Sequence, residues 1–245
     1  MNSILKHPIE DNSVWTAETL QHDDTWLYQL TSQDILDLHQ AMLTAKSKGK
    51  LTYQLTPDDF PLSSFLNCLN DYKNELEYGR GFLLLRGLPV ENYTAKEIEI
   101  IYYGIGLHLG QPVTQNGNGD VLGQVMNTGD INDKNKRVYQ TNLYLPYHTD
   151  PSDVVGLLCV RPAKEGGLSS LVSVSSVYNI LLREFPEYLG LFYKQWYYAH
   201  LGEDLPSPTS LFAINHGKLN FRYLRQYIEL GNEIRKVPLS DFEIE

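Results

Sequence analysis

The hydrophobic period of this chain changes once, near residue 110, and that change constrains the fold more than any single motif. Before it, apolar residues recur at helical spacing. After it, they come in short β-branched or aromatic runs divided by Gly, Asn and Pro. A helix face repeats every 3.6 residues and a strand face every 2, so a helical N-terminal region should give way to a β-rich remainder. In TSQDILDLHQAMLTAKSKGK, Thr31 and Asp34 form a capping signature, and Ile35, Leu38 and Met42 follow at helical spacing until Gly49. The pattern predicts a helix over about 32–47. His39 beside its stripe reads as a helix-face histidine rather than a ligand. A second helix is expected across PLSSFLNCLNDYKNELEYGRG, with Phe65, Leu69, Tyr72 and Leu76 as its stripe, Pro61 at its start and Gly79 at its end. GFLLLRG, bounded by glycines, reads as a fully buried strand. TAKEIEIIYYGIGLHLG then predicts a third helix, capped by Thr94 and Glu97, with Ile98, Ile101, Ile105 and Leu109 on one face.

Beyond the change, NGNGD is turn chemistry, VLGQVMN reads as a strand, and NTGDINDKNKR is a polar loop of the kind that closes over a site. YQTNLYLPYHTD, DVVGLLCV, RPAKEGG and SSLVSV read as strand, strand, turn and strand, which predicts an antiparallel sandwich or barrel. Ser175 or Ser176 is placed to cap a helix through VYNILLREF, and Pro186 to end it and begin another through EYLGLFY. The stretch WYYAHLGEDLPSPTSLFAINHGKLNFRYLRQYI alternates aromatic strands with a Pro/Ser loop and an Asn-His-Gly-Lys turn, and LSDFEIE reads as the start of a helix. Without repeats or linkers, the expectation is one domain over 1–245: a mainly helical region at 1–80 and a β core with inserted helices at 81–245.

Composition narrows the partners. Hydrophobic residues at 42% and charged residues at 20% are those of a folding chain. Acidic residues outnumber basic ones by 30 to 20, for a net charge of −10, and no Lys/Arg cluster is present to grip a phosphate backbone, so nucleic acid is not expected. No apolar run approaches the roughly 18 residues of a membrane span, and MNSILKHPIEDNS lacks an apolar signal core. The expectation is a cytoplasmic protein without a membrane partner. Cys68 and Cys159 lie in apolar contexts without CxxC spacing and read as buried free thiols. The 17 tyrosines against 8 phenylalanines suit pocket walls or a core margin equally.

Chemistry concentrates in LPYHTDPSDVVGLLCV. His148 and Asp150 flank Thr149 immediately before an apolar run, and alternation along an extended segment turns both toward one common object. An imidazole and a carboxylate so placed suit a divalent metal. His22 and Asp24 in QHDDTW repeat the spacing, but in a charged stretch with no apolar strand behind it, and read as solvated.

The ordered set GFLLLRGLP, YYGIGLHLGQPV, YHTD, VVGLLCVRPAKEGGLSSLVSVSSVYN and FRYLRQYI resembles the taurine/2-oxoglutarate dioxygenase family, a clavaminate-synthase-like branch of the Fe(II)/2-oxoglutarate oxygenases. The resemblance covers most of residues 80–240, and its strongest piece is H-T-D followed by C-x-R-P-x-x-x-G-G-x-S. It implies an α+β fold: a double-stranded β-helix (jelly-roll) core flanked by N-terminal helices. It also implies Fe(II) held by two histidines and one carboxylate, which leaves positions open for 2-oxoglutarate as cosubstrate and for O2. Carried over, His148 is the first histidine and Asp150 the carboxylate. Ser169, after Gly166-Gly167, falls where the family uses a hydroxyl near the 2-oxoglutarate carboxylate. The second iron histidine and the arginine that pairs with 2-oxoglutarate are expected beyond residue 245, so the core is expected to be incomplete at its C-terminus. Neither His200 nor His216 stands where the pattern puts the iron, and Arg222 and Arg225 match basic positions with substrate-side or structural roles. The function implied is oxidation, by hydroxylation, of a small-molecule substrate coupled to decarboxylation of 2-oxoglutarate. The alternative is a non-catalytic scaffold or interaction module. A homo-oligomer, or a complementing chain that supplies strands, is the partner such a core would need.

Overall fold

The structure, a computed structural model, describes residues 4–115, 119–126, 144–199 and 205–244. It divides into two compact units. A helical unit comprises Pro8–Val113 and Val154–Asn179, and a sheet unit comprises Met1–His7, Thr114–Asp153 and Ile180–Glu245.

In the helical unit a short α1 (Ala17–Leu20) precedes β1 (Leu27–Gln29) and α2 (Ser32–Ser47). The α2 bounds follow from local chemistry. Thr31 Oγ1 accepts from the Asp34 N–H while the Asp34 carboxylate accepts from the Thr31 N–H at 2.8 Å, and Gly49, at φ +65°, turns the chain out of the helix. Leu38, Ala41, Met42 and Ala45 are its buried stripe. α3 (Phe65–Tyr78) begins four residues later than Pro61 suggested. Its start is set by Asp37 of α2, a buried carboxylate that accepts hydrogen bonds from the Ser63 N–H, the Ser63 hydroxyl and the Phe65 N–H. After β2 (Leu84–Arg86), α4 (Ala95–Leu109) carries the expected Thr94/Glu97 capping box and buries Ile98 and Ile101. Gly104 lies against Phe60, whose ring a Cβ there would meet at 2.5 Å.

Several expectations fail, most of them for want of sheet neighbours. GFLLLRG supplies only β2, paired in parallel with β1 through Leu27↔Leu84 and Tyr28↔Leu85; Leu84 is 42% exposed, so the strand is not buried. DVVGLLCV and SSLVSV form no ladder among the described residues, and Val155 and Leu157 are 52% and 74% exposed. Cys159 in that stretch is exposed and Cys68 half-buried; both are free thiols, but neither is a core residue. The RPAKEGG turn is present, with Gly166 and Gly167 both in the left-handed region. The described part of VLGQVMN, residues 121–126, is likewise not a strand.

α5 (Val174–Glu184) begins in the helical unit and ends in the sheet unit. Ser173, rather than Ser175 or Ser176, caps it: its hydroxyl accepts from the Ser176 N–H at 2.9 Å and donates to the Ser13 carbonyl at 2.6 Å. In the sheet unit a 3-10 turn at Pro186–Tyr188 leads into α6 (Leu189–Tyr193), as Pro186 suggested. β3 (Gln195–Tyr198) and β4 (Ser207–Ser210) pair antiparallel, with Tyr197 opposite Pro208. β4 therefore occupies the Pro/Ser stretch read as a loop, and a two-stranded sheet tolerates its proline because each strand has a free side. β5 (Phe212–Asn215) and β6 (Lys218–Phe221) form the expected hairpin, turned by His216 and Gly217 at φ +48° and +78°. RQYI, read as strand, instead opens α7 (Arg225–Ile234), which packs on β3 through Ile228 and Gly231. α8 (Asp241–Ile244) forms where LSDFEIE predicted a helix. Trp196, Tyr198, Leu211 and Ile228 make the core here, against Phe192, Phe221, Tyr223 and Tyr227.

The fold is thus mixed helix and sheet, with two-stranded sheets and no closed barrel among the described residues. None of the described helices is long and apolar enough to cross a membrane.

Candidate metal centre

The YHTD segment has no ladder of its own; a tie to a distant residue holds it. The Thr149 N–H donates to the Tyr223 carbonyl at 2.8 Å, and the Tyr223 N–H donates to Thr149 Oγ1 at 2.8 Å. With Thr149 engaged on one side, its neighbours meet on the other: His148 Nε2 lies 3.9 Å from Asp150 Oδ1. His148 Nδ1 is 2.8 Å from the Pro146 carbonyl. An acceptor there assigns the proton of a neutral ring to Nδ1 and leaves the Nε2 lone pair facing the carboxylate. Both side chains reach solvent, His148 at 23% and Asp150 at 50% exposure.

This donor set suits a divalent metal. Two cis ligands at about 2.1 Å stand roughly 3 Å apart, so the pair is open by less than an ångström. Among the described residues no third His, Cys, Asp or Glu joins them. His216 is spent on the β5–β6 turn and is exposed; His200 lies outside the described residues, as do the NTGDINDKNKR loop and residues 139–143.

Among the described residues, Tyr198 and the Arg222 cation form a cluster linked electrostatically to Asp150. Tyr198 is 1% exposed, and burial, joined by the negative charge of Asp150, pushes its hydroxyl up to about 12 against the opposing charge of Arg222. The Arg222 guanidinium lies over the Tyr198 ring, 5.7 Å from its centroid, and Tyr227 stands edge-on to the same ring at 5.7 Å. Arg225, its counterpart in FRYLRQYI, is instead exposed and bound to Glu229 at 2.6 Å. Sequence reasoning found neither Tyr198 nor the Thr149–Tyr223 tie, because nothing within either segment marks the other as its partner.

The other candidates belong to the helical unit. Ser169 is exposed in the helical unit and has no hydrogen-bond partner among the described residues. His22 and Asp24 are exposed, as read, while the intervening Asp23 binds Arg80 and Thr25. His39 is half-buried, its ring 5.8 Å from that of Tyr93.

Comparison with known proteins places this site in a lineage. Residues 48–227 match the family described as taurine catabolism dioxygenase TauD, TfdA family. The chain is 33% identical over 259 aligned positions to FR-33289 synthase of Streptomyces rubellomurinus, an alignment covering 99% of this chain and 76% of the synthase. It is 24% identical over 229 positions to the taurine hydroxylase-like protein SAT17 of Stachybotrys chartarum, covering 89% of this chain and 59% of that protein. The matched span holds the H-x-D triplet, its Tyr223 tie and the residues around Tyr198, and the chain belongs to the TauD/TfdA dioxygenase family.

Proposed function

We propose that the protein is an Fe(II)- and 2-oxoglutarate-dependent dioxygenase that hydroxylates a small organic substrate, with His148 and Asp150 as two of its iron ligands. The observation that carries this reading is the double tie of Thr149 to Tyr223, which sets His148 Nε2 and Asp150 Oδ1 on one side, 3.9 Å apart. Family membership supports the reaction class, and similarity to a taurine hydroxylase-like protein supports hydroxylation. Iron held there would supply activation of O2 coupled to conversion of 2-oxoglutarate to succinate and CO2. The chain's own residues prepare the pair. The Pro146 carbonyl holds the His148 proton at Nδ1, Thr149 fixes the spacing of the pair, and the buried Tyr198 stands near enough to Asp150 to feel its charge. A jelly-roll core is the fold proposed for the catalytic domain, on family grounds.

The test is an anaerobic titration of the purified chain with Fe(II) and 2-oxoglutarate, following the visible charge-transfer band of the chelate. The expected outcome is a saturable band in the parent that His148→Ala and Asp150→Ala each abolish. His200→Ala and His216→Ala in the same titration search for the third ligand. A folded chain that gives no band, or a band indifferent to both substitutions, overturns the proposal.

A further inference from the structure

The stretch from Val154 to Val172 in the helical unit is held at both ends and open between them. Near its start Gly156 runs so close to α4 that a Cβ there would stand 2.8 Å from the Tyr102 hydroxyl. At its far end, where α5 begins, the Ser173 hydroxyl donates to the Ser13 carbonyl at 2.6 Å. Every residue from Cys159 to Val172 is exposed, and no backbone hydrogen bond joins any residue of 154–172 among the described residues. The composition is nonetheless that of strands. Leu157 and Leu168 are 74% and 95% exposed, and Val154, Val155, Val160, Leu171 and Val172 are exposed with them. These residues leave on the order of 700 Å² in water, where the largest apolar patch of an ordinary monomer covers roughly 300–600 Å². The RPAKEGG turn, with Gly166 and Gly167 at positive φ, divides the stretch into two arms. Pro162 offers no N–H, so a ladder along the first arm stops at the turn.

A second copy of the chain meets both needs of this stretch. Strand addition supplies N–H and C=O partners to arms that lack them. An isologous pair buries the stretch twice over, an area within the roughly 1,200–2,000 Å² of a specific interface. Charge points the same way. The stretch carries Arg161 and Lys164 against Glu165 alone, in a chain of net charge −10, so two copies that repel over most of their surface do not repel there. We infer that residues 154–172 are a self-association surface, on which the arms 154–160 and 168–172 of one copy add as strands to the same arms of a second. The inference is independent of the iron reading.

The experiment is sedimentation velocity on the purified full chain over a wide range of concentration, with amide hydrogen exchange at both ends of that range. The expected result is a reversible rise in mass from 28.0 kDa toward twice that value, with protection gained at 154–160 and 168–172. Leu157→Glu and Leu168→Glu each weaken the association by about tenfold or more, because like charges then face one another across the pair. Leu36→Glu, at an exposed leucine of α2, leaves it unchanged. Both arm leucines are open to water in the single chain, so circular dichroism should show the variants folded, and exchange in the parent decides the matter without any variant. A chain that stays at 28.0 kDa at every concentration overturns the inference, as does growth into open-ended aggregates. So does a dimer that both arm variants leave intact, or one whose protection falls outside the two arms.

Discussion

Thr149 makes both of its ties to one residue, Tyr223, and so decides where its two neighbours can go. Thr149→Val keeps the shape of the side chain and removes the acceptor for the Tyr223 N–H. We expect a stability loss of about 1–3 kcal/mol in urea unfolding and roughly tenfold weaker Fe(II) binding, comparable to loss of an outer-sphere support. Thr149→Ser retains the acceptor and should restore the Fe(II) affinity, which a purely volumetric effect would not. Unaltered Fe(II) affinity in Thr149→Val would show that the tie does not position the pair. At this scale the sequence was informative about which residues share a side, because alternation acts within a triplet. It named Arg222 only as one of two basic positions, and it was silent about Tyr198 and about Tyr223, whose tie to Thr149 comes from far along the chain.

Elements were legible where their boundaries are set locally. α2 and α4 begin at Thr31 and Thr94 because each cap is answered three residues later by Asp34 or Glu97. α3 was misplaced because its cap, Asp37, belongs to another helix. Hydrogen bonds from the Phe65 N–H and from Ser63 outweigh the effect of burial and hold that carboxyl below its usual range. Asp37→Ala should strand the Ser63 and Phe65 donors and cost about 2 kcal/mol, read as a lower urea midpoint with an unchanged slope. In the other unit, α7 approaches β3 so closely that a Cβ at Gly231 would collide with the Tyr197 carbonyl. Gly231→Ala is expected to destabilise by about 1–3 kcal/mol despite the better helix propensity of alanine, because backbone cannot move aside as a side chain can. A thermal midpoint equal to or above the parent's would refute that packing. The same element shows why strands were over-read: RQYI is aromatic enough for a strand, but Ile228 and Gly231 are three apart and meet β3 only as a helix.

At the scale of the whole molecule, four carboxylates besides Asp37 shape the response to acid among the described residues. Asp23, Asp59, Glu97 and Glu243 are each drawn down to about 2, chiefly by hydrogen bonds from Thr25, Lys50, Lys46 and Lys194 respectively. Their folded values lie below the unfolded ones, so the stability they add is complete above the ordinary carboxylate range and is lost as pH falls toward 2. The Tm measured by circular dichroism should be nearly flat from pH 7 to about 5 and fall below that. Glu97→Gln should lower Tm at pH 7 and make its acid-side decline shallower; a parent Tm that rises on acidification would contradict the sign. With a pI near 5.1, solubility should be lowest where this decline begins. Caps, alternation and motif order act over a few residues, so the sequence by itself determined the starts of α2 and α4, the shared side of His148 and Asp150, and the dioxygenase family. Strand neighbours, the exposure of DVVGLLCV, the start of α3 and the stacking of Arg222, rather than Arg225, over the Tyr198 ring depend on partners far apart in the chain. Only tertiary structure decided those, because hydrogen bonding and burial between distant segments leave no trace in the period of either.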